Sequence, residues 1–152
     1  MALDVRELRL VRPMDSGDLA TVFSAVDVEH GNVSRAVALL HPDLEDLDAV
    51  IERLQARINS ARRLDHEGHV KAEGIYDVSG RPGLVMQMVI GKDLERIAKR
   101  QAVPGPVAAR IARDLVDVLE AAAEHDLVHG HMGPNRIIVT DQGRVRLLGL
   151  GM

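Results

Sequence analysis

The fold of this chain is decided by the stretch Val128-His129-Gly130-His131-Met132-Gly133-Pro134-Asn135-Arg136-Ile137-Ile138-Val139-Thr140-Asp141-Gln142-Gly143-Arg144-Val145-Arg146-Leu147-Leu148-Gly149-Leu150-Gly151. It contains two short aliphatic and β-branched runs on either side of an Asp-x-Gly turn. Val and Ile suit a pleated, half-buried surface, and Gly supplies the positive φ that a tight turn needs. The stretch therefore predicts a β-hairpin that follows a loop opened by a histidine.

The composition bounds the class of protein. A chain of 152 residues suits one domain with one core, and a single Phe, a single Tyr and no Trp leave that core to aliphatic residues and Met. So few aromatic rings argue against a base-stacking surface. The formal charge of −4 argues against nucleic-acid and anionic membrane partners. The absence of Cys excludes disulfides, zinc–thiolate sites and a thiol nucleophile.

The hydropathy pattern points to a cytoplasmic protein. No apolar run approaches the roughly 20 residues that a membrane span needs. The start Met1-Ala2-Leu3-Asp4-Val5 has no signal-peptide pattern. We therefore expect a cytoplasmic location and no membrane partner.

The N-terminal part alternates apolar and polar side chains, which indicates strands. Residues 1–13 predict a first strand that ends at Pro13. A turn then leads into a second strand within Asp15–Asp27, and a third strand follows over Ser34–Leu40. These elements predict an antiparallel meander.

The next segment predicts one helix and two further strands. Apolar residues recur at helical spacing and predict a helix of about five turns: Leu47, Val50, Ile51, Leu54, Ile58, Ala61 and Leu64. Its other positions predict a solvated polar face: Glu52, Arg53, Arg57, Arg62 and Arg63. Strands are then expected over Val70–Asp77 and Leu84–Val89, joined by a turn over Ser79–Gly83.

The second half begins with a short helix at Leu94, followed by the breaker Pro104-Gly105-Pro106. Residues 107–123 then predict a long helix, because their apolar positions are spaced by three or four. This helix leads directly into the loop that opens at His129.

The histidine loop, the hairpin and Gly149-Leu150-Gly151 resemble the catalytic loop H-R-D-x-K-x-x-N and the D-F-G segment of protein kinases. The turns Leu40-His41-Pro42 and Leu64-Asp65-His66 are similar to those of the bacterial Ser/Thr kinases. The resemblance covers Leu8 to Met152. It implies an α+β, protein kinase-like fold. Residues 1–89 would form a five-stranded antiparallel sheet with helix αC. Residues 90–152 would form a truncated helical lobe with αD, αE and the catalytic-loop hairpin, which lacks the activation segment and the later helices of a kinase.

The same resemblance implies that the catalytic groups are absent. Phosphoryl transfer in kinases uses a Lys–Glu pair, a catalytic Asp, and an Asn and an Asp that bind magnesium. The corresponding positions of this sequence are Ala38, Arg57, His131, Arg136 and Gly149, in that order. We therefore expect a pseudokinase that transfers no phosphate and holds no metal or cofactor.

Structural positions of the nucleotide cleft are retained better, as the resemblance implies. They are Gly17 of the phosphate loop and the apolar positions Val22, Ala36, Met86, Met88 and Ile138. A nucleotide-sensing regulator is therefore the alternative hypothesis. In it, Arg57 and Arg136 bind ATP or a related anion without phosphoryl transfer, although Asp15 and Asp18 add negative charge near the phosphates.

The long helix over residues 107–123, which corresponds to αE in the kinase resemblance, has a second apolar face, and in a kinase a later helix would cover this side of it. Left bare, the face would exceed what soluble monomers expose. We therefore predict self-association or binding of a partner protein, as a scaffold, an adaptor or a self-assembling subunit. The alternatives are that the small alanines remain solvated or that the chain is a fragment. The residues of this face are Ala108, Ala112, Leu115, Val116, Leu119 and Ala123.

Three further hypotheses have weaker support. A metal site at His129-x-His131 has only His125 nearby as a further histidine. The basic patch on the first helix is typical of a solvated face, although it could contact an acidic protein. An enzyme with altered chemistry based on His131 has no nucleophile–base pair to support it.

Overall fold

The computed structural model describes residues 2–150. The chain forms two compact units. One holds the residues up to Ile58 together with Lys71–Met88, and the other holds Asn59–Val70 together with the chain from Val89 on. Over the described residues, none of the helices combines the length and the apolar character needed to cross a bilayer.

The first unit is built on a five-stranded antiparallel sheet, as predicted. Its strands are β1 (Leu8–Ser16), β2 (Ala20–Asp27), β3 (Val33–Leu40), β4 (Ala72–Val78) and β5 (Arg81–Gln87). Their order in the sheet is β1-β2-β3-β5-β4. The meander of β1 to β3 follows the chain, and the β4–β5 hairpin is inserted with β5 against β3.

The prediction that the first strand ends at Pro13 was wrong. β1 continues through Pro13 to Ser16, with register shifts between Leu10 and Arg12 and between Pro13 and Asp15. Proline is tolerated at the edge of a sheet and at bulges, where its missing N–H breaks no ladder bond. β1 is such an edge strand, so Pro13 bends it without ending it.

The turn predicted over Ser79–Gly83 is shorter than expected. Ser79 and Gly80 form the turn with φ of 55° and 82°, and β5 already begins at Arg81. Two consecutive residues with positive φ give the turn whose twist matches that of the flanking strands. The β4–β5 hairpin is therefore tight.

The segment before β1 pairs with the opposite edge of the sheet. The N–H of Asp77 donates to the carbonyl of Asp4 over 2.9 Å, and the N–H of Arg6 donates to the carbonyl of Asp77 over 3.0 Å. Residues 4–6 thus lie along β4, one edge strand, while the residues that follow them form β1, the other edge strand. The pairing covers backbone groups of β4 that an open edge would expose.

The helix α1 (Leu47–Ala61) begins where the pattern predicted but is one turn shorter, with 15 residues. After Ala61 the chain makes a tighter turn, in which the N–H of Leu64 donates to the carbonyl of Ala61, three residues earlier, over 3.1 Å. Leu64 lies outside the helix and is buried in the second unit. Glu52, Arg53 and Arg57 are exposed on the helix, as predicted, and Arg62 and Arg63 are exposed just after its end.

The second unit combines two helices with a small sheet. The helices are α2 (Leu94–Arg100) and α3 (Gly105–Ala123). The sheet has the order β6-β7-β8, formed by β6 (Gly91–Asp93), β7 (Ile137–Thr140) and β8 (Val145–Leu147). The predicted hairpin around Thr140-Asp141-Gln142-Gly143 is confirmed, and β6 was not predicted.

The core of the second unit joins α3 to the hairpin. Its buried members are Leu64, Ile111, Val118, Ala122, Ile137, Val145, Leu147 and Leu150. The helix contributes the residues on its inner side, and the hairpin contributes alternate residues of its two strands. This packing holds the loop between α3 and β7 in place, since both of its ends are anchored.

Candidate functional site

The residues that the kinase resemblance assigns to catalysis and nucleotide binding are divided between the two units, and each unit is described by itself. In the first unit, Ala38 lies in the second half of β3, opposite Val22 of β2 and Leu84 of β5. Ala36, two residues before it, lies opposite Met86 of β5. Because strand residues alternate between faces, these residues share one face of the sheet.

The other face of the same sheet holds a cluster of buried apolar residues, which includes Val37, Leu39 and Val85. Ala36, Ala38 and Met86 are themselves buried, with at most 7% of each residue exposed. The face therefore offers methyl groups and a thioether where the resemblance expects a phosphate-binding lysine.

Three other assigned residues of this unit lie outside the strand pairs that form that face. Gly17 is exposed in the turn between β1 and β2, where its N–H donates to the carbonyl of Ala20 over 2.9 Å. Arg57 lies on the exposed side of α1, and Met88 is half-buried just after the end of β5. The sheet register brings together Val22, Ala36, Ala38 and Met86, and it does not include these three.

In the second unit, three of the four assigned residues lie around His129, which is 5% exposed. Its Nε2 lies 2.6 Å from the carbonyl oxygen of Leu148, and its Nδ1 lies 3.2 Å from the backbone nitrogen of His131. A backbone N–H only donates and a carbonyl only accepts, so Nδ1 accepts and Nε2–H donates. The ring is therefore a neutral imidazole that joins the loop to the segment after β8.

Gly149 is buried beside this ring. Its φ is +98°, and a Cβ added to it would lie 2.9 Å from Nε2 of His129. Such a Cβ would also lie 3.9 Å from Nη1 of Arg136. A side chain at position 149 would therefore meet strain and a clash, and it would enter the neighbourhood of a guanidinium.

The remaining assigned residues complete the loop. Arg136 ends the 3₁₀ turn Pro134–Arg136, and its carbonyl accepts the N–H of Leu148 over 2.8 Å. His131 is exposed, and Ile138 of β7 lies opposite Arg146 of β8. The structure thus brings His131, Arg136 and Gly149 around one buried imidazole.

The groups that surround His129 are cationic or neutral. Their titratable side chains are imidazoles and a guanidinium, whereas magnesium is held by carboxylates and other oxygen ligands. Asn135 adjoins Arg136 and is exposed, with its Oδ1 3.0 Å from the place a Cβ on Gly133 would take. Over residues 2–150, no three His, Asp or Glu side chains are grouped in a way that could hold a metal ion.

Two polar clusters of the structure carried no sequence signal. In the first unit, Arg6 joins Asp27 and Glu73 across strands that are far apart in the chain. In the second unit, Asp114 of α3 accepts from Nε of Arg144 over 3.0 Å and from the N–H of Val145 over 3.1 Å. Both depend on long-range pairing, which no local spacing reveals.

The sequence is similar to those of bacterial Ser/Thr kinases. It is 30% identical over 153 residues to the serine/threonine-protein kinase PknA of Mycobacterium tuberculosis, a match that covers 95% of this chain and 35% of PknA. It is 22% identical over 145 residues to the probable serine/threonine-protein kinase PknB of Lactococcus lactis, covering 95% of this chain and 23% of that protein. The chain thus spans about a quarter to a third of these curated relatives. No protein-family model matches it.

The fold is similar to that of a solved kinase domain. The crystal structure of the M. tuberculosis PknI kinase domain matches it with a TM-score of 0.74 at 22% sequence identity, covering 95% of this chain and 58% of that domain. The chain therefore has a protein kinase-like α+β fold that corresponds to part of a kinase domain, and its sequence relatives are bacterial Ser/Thr kinases.

Proposed function

We propose that this chain is a catalytically inactive, kinase-like module that acts by binding protein. The observation that carries the proposal is the set of side chains at the five assigned catalytic positions, which are Ala38, Arg57, His131, Arg136 and Gly149. None of them is a carboxylate, and the lysine position holds a methyl group.

Kinase chemistry depends on those groups more than on the fold that carries them. The transferred phosphoryl group is stabilised by magnesium ions, which two protein side chains hold, and by the strand lysine. Removing one electrostatic contributor of this kind typically costs about 3 kcal/mol of transition-state stabilisation. The simultaneous loss of five would leave no useful phosphoryl transfer.

The surroundings of Gly149 give the proposal local support. An aspartate there would have to adopt a positive φ beside the imidazole of His129, with the guanidinium of Arg136 close by. Its carboxylate would then find a cation within the chain as its neighbour. We infer that this loop is arranged as a packed, metal-free element.

Protein binding is the activity that we propose in place of catalysis. α3 presents exposed apolar residues to solvent, among them Val116 with 54% of its surface accessible. The face predicted for binding lies on this helix: Ala108, Ala112, Val116 and Ala123 are exposed, whereas Leu115 and Leu119 are half-buried against the core. We propose that the chain works through it as a scaffold, an adaptor or a self-assembling subunit, in the cytoplasm.

A phosphoryl-transfer assay tests the loss of catalysis. The purified chain is incubated with radiolabelled ATP, with Mg²⁺ or Mn²⁺, and with a generic basic protein substrate, beside an active bacterial Ser/Thr kinase. We expect no incorporation above the level without protein. Metal-dependent incorporation that is lost in His131→Ala and retained in Gln142→Ala would overturn the proposal.

The second candidate is a nucleotide-responsive regulator. It is favoured by the shared face of Val22, Ala36 and Met86, which resembles the apolar lining around adenine in kinases. Thermal unfolding with millimolar ATP, with and without Mg²⁺, separates the two candidates, because a ligand that binds only the folded state raises Tm. A rise in Tm that is absent in Ala36→Phe would support nucleotide binding, and no rise would remove it.

A further inference from the structure

α3 carries a second apolar face beside the one that faces the core. Ile111, Val118 and Ala122 are buried on the core side. At roughly 100° per residue, the second face occupies an adjoining sector of about 80°. Its members are Ala108, Ala112, Val116, Leu119 and Ala123. Val116 and the three alanines are exposed, while Leu119 is half-buried against the core.

The rim of this face has a distinctive charge pattern. Arg113 and Glu120 are both exposed and lie two turns apart on the same flank, next to Val116. The other acids near the middle of the helix are already paired, Asp114 with Arg144 and Asp117 with His66. Arg113 and Glu120 therefore place a cation and an anion on either side of the middle of the face, and the exposed Glu124 follows one turn after Glu120.

We propose that a second copy of this chain packs on this face, with the two α3 helices antiparallel. In an antiparallel pair related by a two-fold axis, the same flank of both helices meets, and each contact occurs twice. Arg113 of each copy then lies opposite Glu120 of the other, with the axis near Val116. The inference rests on the proposed function and names the partner that it leaves open.

The composition of the face suits this partner. The alanines allow two helix backbones to approach closely and have no side-chain rotamers to order on association. The stretch from 110 to 123 overlaps its symmetry mate over about 20 Å at 1.5 Å per residue. One such face buries less than the roughly 800 Å² per partner of a standard interface, so the dimer is weak and depends on concentration.

Charge reversal tests the arrangement. Arg113→Glu and Glu120→Arg each place like charges opposite one another twice, so each variant alone is expected to dimerise at least tenfold more weakly. When the two variants are mixed, both contacts regain opposite charges, and the mixed dimer is expected to recover. The double variant R113E/E120R is expected to recover as well. Sedimentation equilibrium from 10 μM to 1 mM measures each constant, with Arg100→Glu on α2 as the control that leaves dimerisation unchanged.

Two results would overturn the inference: a wild-type chain that stays monomeric to 1 mM, or a mixture that associates no better than either variant alone. Circular dichroism and Tm of each variant verify that the fold is retained. A chain that dimerises as described but transfers phosphate would reject the proposed function and leave the dimer. A monomeric chain without phosphoryl transfer would reject only the dimer.

Discussion

The guanidinium of Arg6 lies 2.6 Å from the carboxylate of Asp27, whose side chain is completely buried at the end of β2. The second terminal nitrogen of Arg6 lies 2.6 Å from Glu73 of β4, and the guanidinium lies 5.0 Å from the centre of the Tyr76 ring. The backbone N–H and the ring Nδ1 of His30 complete the shell of Asp27 at 3.2 and 2.9 Å. This ion pair ties the segment before β1 to two strands of the sheet.

Asp27 makes the stability of the chain depend on pH at the acid end. Burial raises the pKa of Asp27, but the hydrogen bonds from Arg6 and His30 and the charge of Arg6 outweigh it and lower the pKa from 3.8 to about 2. Because the folded pKa is the lower one, the stabilisation is present above pH 3.8 and is lost as the pH falls to 2. It amounts to about 2 kcal/mol.

We expect Asp27→Asn to lower the free energy of unfolding at pH 7 by about 3 kcal/mol, because it leaves a largely buried Arg6 with one anion fewer. It should also remove the loss of about 2 kcal/mol between pH 4 and pH 2. Urea denaturation at a series of pH values measures both effects. The exposed Asp43→Asn is the control, and equal pH profiles for the two variants would contradict the assignment.

Gly149→Ala should destabilise the chain by about 2–3 kcal/mol, because it combines a positive φ with a Cβ 2.9 Å from the imidazole of His129. Gly143→Ala is the matched control. It also has a positive φ, but its Cβ would meet the flexible end of Arg110 at 3.3 Å, so about 1 kcal/mol is expected. Thermal unfolding compares them, and equal costs would show that the ring moves aside freely.

His129→Ala should cost about 2–3 kcal/mol, because it leaves the carbonyl of Leu148 and the N–H of His131 without the ring that now pairs with both. Hydrogen exchange at the amide of His131 should become faster in the variant. His131→Ala keeps this backbone bond and replaces an exposed side chain, so it should remain within about 0.5 kcal/mol of wild type. A costly His131→Ala with unchanged exchange in His129→Ala would contradict this role.

Two valines of α3 provide a comparison within one helix. Val118 is completely buried and Val116 is 54% exposed. Val118→Ala should therefore lower the free energy of unfolding by about 1–3 kcal/mol, and Val116→Ala by less than about 0.5 kcal/mol. The measurement is made at low micromolar concentration, where the monomer predominates. Comparable losses would mean that Val116 is covered in the isolated chain.

The local hydropathy pattern predicted most of the strands and helices. It failed where pairing with a residue or strand far along the chain determines the structure. β6 was missed because Gly91-Lys92-Asp93 has no apolar alternation, and it forms a strand because β7 pairs with it. A Cβ on Gly91 would lie 2.5 Å from the carbonyl oxygen of Val139, so the close approach requires glycine. The strand pattern that ends at Asp27 gave no sign that this carboxylate is buried, because its ion-pair partner Arg6 lies 21 residues away in the chain.

The candidate site likewise has one part that followed from the sequence pattern and one part that depends on contacts between distant segments. The assignment of Ala38, His131, Arg136 and Gly149 came from motif spacing, since the loop, the hairpin and the turns keep their order along the chain, and it stays a prediction. The grouping of Arg136 and Gly149 around His129 could not be predicted, since it depends on how the segment after β8 returns to the loop. The tautomer of His129 likewise became assignable only from its two hydrogen bonds.

Apart from β6, the sequence by itself determined the order of strands and helices, and it determined the side chain at each assigned position, since both are local properties of hydropathy, turn residues and motif spacing. Only the tertiary structure decided which residues share a sheet face, which acid is buried beside Arg6, and which side of α3 remains exposed. Those outcomes depend on contacts between segments far apart in the chain, and such contacts form only when the apolar surface of the whole domain is buried together.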